Sequence, residues 1–354
     1  MASWSPQTNC GIEVRGLRLA TAGAAEMEEV RRRFAEHGVI YFRDVGDDFS
    51  PELHMEFAER FGSINVNRFF PRVEGFEGIA QVEKKPGDTQ AIGDTFHADH
   101  TYDLAPALGS MLVAREVPES GGDTVFVSMT KAYETLPPAV QTQLETMRAV
   151  HSSRHAFGTG RNQRKSLFSN PEAATQDTVH PVVIRHPLSG RKSLYVNPVN
   201  TTACKLFSLS CIFTSMLLSS QGFTVCIEGQ TPEESAPLLE ALYHHAVRPE
   251  HQQRFSWEPG SAVLWDNRAV WHCAMNDYHG QHRLMHRITI NGPKLAAAAP
   301  GLPGSLPASG PPVVVFGGGA DSPGGPAYVR LLRSTMAVGL TDEGSAAAFP
   351  EARL

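Results

Sequence analysis

The sequence predicts an α+β fold, with a double-stranded β-helix core of the jelly-roll or cupin-like kind and flanking helices. Two observations predict the core: well-capped amphipathic segments, and short runs rich in Val, Ile and Phe interleaved with them. A third sets its limit, because beyond about residue 293 the composition turns to Ala, Gly, Pro and Ser. In chain order, residues 25–37 read as a helix with Met27, Val30 and Phe34 on one stripe. Gly38 stops it, and Val39-Ile40-Tyr41-Phe42 follows as a buried strand. Ser50 caps the next helix, Pro51 suits its first turn, Leu53, Phe57 and Phe61 recur along one face, and Gly62 ends it. Thr231-Pro232-Glu233-Glu234 is a capping box opening a helix to about His245, in which His244 and His245 read as surface or packing residues. Residues 1–293 thus form one domain, and 294–354 a mostly disordered tail in which Tyr328 to Met336 has the pattern of a short docking helix.

Charge and cysteine usage exclude several classes. With 31 Lys+Arg against 37 Asp+Glu, the formal charge of −6 offers no general attraction to nucleic acid or to an anionic membrane. The five cysteines form no CxxC pair and make an odd count, so neither a disulfide framework nor a thiolate zinc site is indicated. A reducing cytoplasm fits, and MASWSPQTNC lacks the basic-then-apolar pattern of a secretory signal. A homo-oligomer stays open.

The chemistry concentrates in His97-Ala98-Asp99 and His272, which lies 175 residues further on. In an extended strand His97 and Asp99 project to one side and Ala98 to the other, and a remote His272 completes three ligands. Two neutral imidazoles and one carboxylate leave three positions of an octahedron open, as non-haem Fe(II) oxygenases require. Zinc accepts the same donors, so a zinc hydrolase remains an alternative. In Arg283-Leu284-Met285-His286-Arg287-Ile288-Thr289-Ile290, strand alternation puts Arg283 and Arg287 on one face. Arg283 there is suited to a bidentate grip on a carboxylate of 2-oxoglutarate.

Several blocks carry a wider resemblance: Phe96-His97-Ala98-Asp99, Gly121-Gly122-Asp123-Thr124, His180-Pro181-Val182-Val183, LYVNP from Leu194 to Pro198, Trp265-Asp266-Asn267-Arg268 with His272, and Gln281 through Arg287. In order and spacing the chain resembles, over roughly residues 10–293, the taurine dioxygenase (TauD/TfdA) family of Fe(II)/2-oxoglutarate enzymes, which includes the 2,4-D dioxygenase branch. The resemblance implies that His97, Asp99 and His272 ligate iron, that Thr124 and Arg283 bind the 2-oxoglutarate carboxylates, and that O2 is the oxidant. It places Arg287 against a substrate anion, with Phe157 and Phe70 as apolar walls. Where taurine-specific members use a histidine this chain has Asn67, and another polar contact falls near Gly93; anion binding then leans on Arg287 and Arg68. Asp99 favours hydroxylation, since a small residue there would open a site for halide as in related halogenases.

The resemblance implies hydroxylation of a small anionic substrate, with a sulfonate such as taurine leading: oxidation beside sulfur releases sulfite and an aldehyde, with succinate and CO2 from the cosubstrate. An aryloxy-carboxylate or an alkyl sulfate ester is an alternative, and so is a catalytically silent barrel that binds a small anion or a partner. One departure interrupts the pattern. About residues 203–226, ACKLFSLSCIFTSMLLSSQGFTVC, are inserted where the family runs on directly. The stretch is long enough to span a bilayer, but its serines and its place between the two metal half-sites argue instead for a lineage-specific loop or a retained intron.

Overall fold

A computed structural model describes residues 2–46, 48–157, 171–198 and 223–298. The large sheet begins at the N-terminus, where β1 (Ser3–Pro6) pairs antiparallel with β2 (Ile12–Arg15), which runs parallel to β3 (Val39–Phe42). All four residues of β3 are buried, because the sheet is covered on both faces there. The order continues antiparallel through β15 (Ala262–Asp266), β7 (Gly109–Glu116), β17 (Arg283–Ile290), β6 (Phe76–Lys84) and β5 (Arg72–Val73), with β4 (Ile64–Asn65) also on β17. A second, three-stranded sheet has the order β14 (Gln252–Phe255), β8 (Thr124–Ser128), β16 (Val270–Ala274). Two more small sheets join β10 (Asp177–Pro181), β9 (Arg148–Ser152) and β13 (Thr224–Ile227), and β12 (Lys192–Leu194), β11 (Val183–Arg185) and β18 (Ala296–Ala297).

The three helices that the sequence predicts are present, and three short ones add to them. α1 (Ala24–His37) buries Met27, Val30 and Phe34, and Gly38 closes it at φ +73, donating to Phe34 O. α2 (Pro51–Glu59) is capped by Ser50 Oγ, which accepts from Leu53 N, and ends before Gly62. α3 (Met129–Glu134), α4 (Pro138–Leu144) and α5 (Ser153–Phe157) are short, and α6 (Pro232–Ala246) carries the Thr231/Glu234 capping box. His245 of α6 is buried against Ala132 O and Thr135 Oγ1, a packing histidine. Among the described residues no helix is long and apolar enough to cross a membrane.

Strand alternation divides the core in two. Met27, Val30 and Phe34 of α1 pack on Ile40, Met111, Val113, Leu264 and Ile288, one face of the large sheet. The intervening residues Tyr41, Leu112, Val263 and Met285 meet Phe126, Phe255 and Val270 from the second sheet. Arg283 and Arg287 share the parity of Met285, so both enter the space between the sheets.

Four expectations change. The segment from His97 to Asp99 is not a strand: His97 makes one isolated antiparallel bridge to His272, and the chain turns at Asp99. The domain runs past residue 293, because Ala296 and Ala297 pair with Arg185 and Ile184 through backbone groups that composition does not reveal. The stretch read as an insert ends in ordered structure, with Phe223 buried and β13 on β9, while 199–222 lie outside the described residues, as does the tail from 299 with its Tyr328 to Met336 pattern. Cys273 is disulfide-bonded, which the cysteine spacing did not indicate, whereas Cys10 and Cys226 are free thiols.

Candidate active site

His272 lies in the middle of β16, opposite Phe126 of β8, and its other backbone edge takes His97. His97 N donates to His272 O at 3.1 Å and His272 N to His97 O at 2.8 Å, which sets the two rings 4.2 Å apart between centroids. Asp99 follows two residues later and brings Oδ1 to 3.5 Å from His97 Nε2 and 3.8 Å from His272 Nε2. One donor atom from each of the three lies within 4.8 Å of the others, the only such cluster of His, Cys, Asp or Glu among the described residues.

The surroundings assign a task to each donor. His97 Nδ1 is 2.7 Å from Thr95 O; the carbonyl can only accept, so Nδ1 carries the proton and the Nε2 lone pair is free for a metal. His272 is wedged against Trp265 and His97, and burial holds it well below the usual imidazole range, hence neutral and ligand-competent. Asp99 divides its two oxygens. Oδ1 faces the imidazoles, while Oδ2 accepts from Ser110 Oγ at 3.0 Å and meets Arg287 Nη2 at 2.5 Å. Burial alone would raise the Asp99 pKa, but Arg287 and the imidazoles hold it well below the usual carboxylate range. The donor set therefore fits a divalent metal of the Fe(II) kind without prior loss of a proton from Asp99 or His272.

Arg283 is 3% exposed, and its Nε and Nη2 have no hydrogen-bond partner. Burial lowers its pKa, yet a guanidinium remains charged, so an anion is the natural complement. Its guanidinium carbon lies 5.6 Å from the Trp257 ring, and Trp257 Nε1 donates to Thr124 Oγ1 at 3.0 Å. Trp257 thus links the two residues expected to hold 2-oxoglutarate. Gly122 permits this approach: at φ +70, an added Cβ would stand 2.9 Å from Pro118 Cγ and 3.4 Å from Arg283 Cδ.

The expected substrate contacts are more dispersed. Arg287 is engaged with Asp99 and flanked by Phe70 and Trp265, although its Nε is unpartnered. Asn67 is buried, but its Oδ1 accepts from Phe69 N at 2.8 Å and its Nδ2 lies 3.5 Å from His100 Nε2. Phe157 stacks on Phe69 at 4.2 Å, and Arg68 lies 3.6 Å from Asp103. Gly93 has φ +77, and a Cβ added there would stand 3.4 Å from His97 Cε1. Sequence reasoning assigns no role to Ser110, Trp257, His100, Asn197 or Asn267, although the two asparagines stand in the LYVNP and Trp265-Asp266-Asn267-Arg268 blocks. Ser110 is a polar residue on a buried run; His100 follows Asp99 at φ +55, a left-handed conformation uncommon outside glycine.

A buried set of two imidazoles and a carboxylate, with an arginine on an inward-facing strand whose Nε and Nη2 lack partners, defines the class of non-haem metal oxygenases that take a carboxylate cosubstrate. Residues 4–289 match the Taurine catabolism dioxygenase TauD, TfdA family. The chain is 30% identical to an alkylsulfatase of Acinetobacter baylyi, over 83% of this chain and 86% of that protein. It is 29% identical to an alpha-ketoglutarate-dependent sulfate ester dioxygenase of Pseudomonas putida, over 80% and 86% of the two. A solved structure described as a putative alpha-ketoglutarate-dependent taurine dioxygenase from Burkholderia xenovorans superposes with a TM-score of 0.64 at 27% identity, covering 82% of this chain and 93% of that one. The chain belongs to the TauD/TfdA family. It is a 2-oxoglutarate-dependent dioxygenase that uses Fe(II), 2-oxoglutarate and O2.

Proposed function

We propose that this enzyme hydroxylates a small organosulfur anion, with a sulfonate such as taurine as leading substrate, between the two sheets of a double-stranded β-helix. The observation that carries the reading is the His97/Asp99/His272 cluster beside the partnerless Arg283 nitrogens. His97, Asp99 and His272 hold the metal through Nε2, Oδ1 and Nε2. Fe(II) bound there supplies the O2 chemistry that couples 2-oxoglutarate decarboxylation to substrate oxidation. Arg283 grips one cosubstrate carboxylate, and Thr124, whose oxygen already accepts from Trp257, has its hydroxyl proton left to donate to a carboxylate oxygen. Arg287 orients Asp99 and presents its spare Nε to the substrate anion, while Asn67 adds a neutral contact and Phe157 an apolar wall.

An alkyl sulfate ester is the second reading, favoured by the names of two relatives. Hydroxylation on the carbon beside the ester oxygen would release sulfate and an aldehyde, as hydroxylation beside sulfur releases sulfite. The test begins with anaerobic addition of Fe(II) and 2-oxoglutarate, where a visible charge-transfer band shifted by substrate is expected. Turnover with taurine and with a medium-chain alkyl sulfate then separates the readings. Sulfite supports a sulfonate, sulfate supports the ester, and glyoxylate from an aryloxyacetate would overturn both.

A further inference from the structure

The segment that carries two of the three metal ligands has almost no sheet to lean on. After the His97–His272 bridge the chain leaves the strand path, so the peptide groups of Ala98 and Asp99 need partners from elsewhere. Two fully buried asparagines provide them. Asn197 Oδ1 accepts from Ala98 N at 3.0 Å and its Nδ2 donates to Ala98 O at 2.7 Å, the paired donor and acceptor that a neighbouring strand would present. The same Nδ2 donates to Thr101 Oγ1 at 2.9 Å, beyond the turn. Asn267 Oδ1 accepts from Asp99 N at 3.2 Å, and its Nδ2 donates at 3.4 Å to Ser110 Oγ, the hydroxyl that holds Asp99 Oδ2.

Each asparagine is itself fixed. Asn197 exchanges two bonds with Thr224, its N donating to Thr224 Oγ1 at 2.8 Å and its O accepting from Thr224 N at 3.1 Å. Asn267 follows Asp266, which is pinned by Arg268 and by His186 at 2.8 Å, and its Oδ1 also accepts from Trp265 Nε1 at 2.9 Å. These residues are the asparagines of the LYVNP and Trp265-Asp266-Asn267-Arg268 motifs.

We propose that Asn197 and Asn267 are positioning residues for the metal ligands: as a two-sided clamp they replace the missing strand, and so fix His97 relative to Asp99. None of the asparagines' hydrogen bonds goes to Thr124, Arg283, Arg287, Asn67 or Phe157, the residues read as holding cosubstrate and substrate, and the clamp rests on the reading of His97, Asp99 and His272 as the metal site. Its effect is therefore on metal affinity before any turnover.

The test is anaerobic titration of the metal-free protein with Co(II), followed by its visible absorption, in the parent, Asn197→Asp, Asn267→Ala, Ser110→Ala and His272→Ala. Asn197→Asp is nearly isosteric but sets an oxygen against Ala98 O. Asn197→Asp and Asn267→Ala are expected to weaken Co(II) binding about 10- to 100-fold, the range for partners that orient metal ligands, in metal-free proteins that still fold but melt lower for the buried hydrogen bonds lost. Ser110→Ala, which cuts the Asn267–Ser110–Asp99 link together with the Ser110 contacts to Arg287 Nη2 and Thr289 Oγ1, keeps the question answerable if a larger change prevents folding; about threefold weakening or more is expected. Parent-like affinity in the folded variants overturns the clamp alone. Binding in the parent that is indifferent to His272→Ala overturns the metal-site reading and the clamp with it.

Discussion

Arg283 is the residue whose environment most demands a ligand. A buried guanidinium with two nitrogens unpaired is unfavourable until an anion arrives, so its charge is held for the cosubstrate. Arg283→Ala is expected to raise the KM for 2-oxoglutarate by roughly 30-fold, equivalent to ~2 kcal/mol for a charge-assisted pair, while leaving Co(II) affinity near the parent value. A fall in metal affinity with unchanged KM would remove Arg283 from the cosubstrate site. Arg287 behaves differently, because its Nη2 sits on Asp99 Oδ2. From the sequence alone its loss would leave uncoupled 2-oxoglutarate decay intact and cost only substrate stimulation. With Asp99 as its partner, Arg287→Ala should weaken Co(II) binding as well, on the order of 10-fold. Full metal affinity with lost substrate coupling would return Arg287 to substrate duty alone.

At the scale of elements, local signals were legible and remote ones were not. The ends of α1, α2 and α6 follow from Gly38, Ser50 and Thr231, whose partners lie within four residues. The alternation from His97 to Asp99 fits a strand, yet Asn197 and Asn267, which replace the ladder, lie 99 and 168 residues along the chain from the groups they bind. The stretch at 199–222 can be judged from its roots, since Asn197 and Thr224 are bonded to each other on the described side of it. Joining Pro198 to Phe223 through a short Gly-Ser linker deletes Cys204 and Cys211, and Cys273 is disulfide-bonded, so the comparison is with Cys273→Ala; against that variant Co(II) affinity is expected to stay within about threefold, because loop length costs little once the ends are held together. Loss of binding would make the stretch part of the site.

A second element-level device lies where α2 meets β7 and β17. His54, Arg115 and His286 gather there, with Arg115 Nε donating to His286 Nδ1 at 3.1 Å. Burial and Arg115 push His286 down to about 4 and hold His54 well below the usual range. Both are neutral in the folded chain near neutrality, whereas in the unfolded chain histidine titrates near ~6.5. As pH falls below that value the unfolded state takes up protons that the folded state refuses, so stability declines and levels off only below the folded pKa values. The urea midpoint of the metal-free protein should drop between about pH 7 and pH 5, and His54→Leu should make the drop shallower. An unchanged slope would exonerate this cluster.

For the whole molecule, sequence pattern identified the ingredients of the sheets but not their order. β3 beside β15 joins Val39 to Trp265, and β7 beside β17 joins Gly109 to Ile290, pairings that no local window contains. Paired backbone beyond residue 293 escapes the composition for a related reason: alanines carry no packing signal, and it is their backbones that bind. Ala296 and Ala297 extend β11, Ala298 N donates to Val183 O at 3.1 Å, and Arg185 Nη2 donates to Ala298 O at 3.0 Å. A chain ending at Gly304 retains all of these contacts, and one ending at Gly292 loses them. At about 1 kcal/mol per net hydrogen bond, the shorter chain should be destabilised by ~2–3 kcal/mol and melt several degrees lower. The chain ending at Gly304 is expected to melt within about 2 °C of the full protein and to bind Co(II) equally well, since the tail composition has little apolar surface to contribute. Equal melting temperatures for the two truncations would put the domain boundary back near residue 293, and a marked loss in the longer one would mean that residues beyond 304 support the fold.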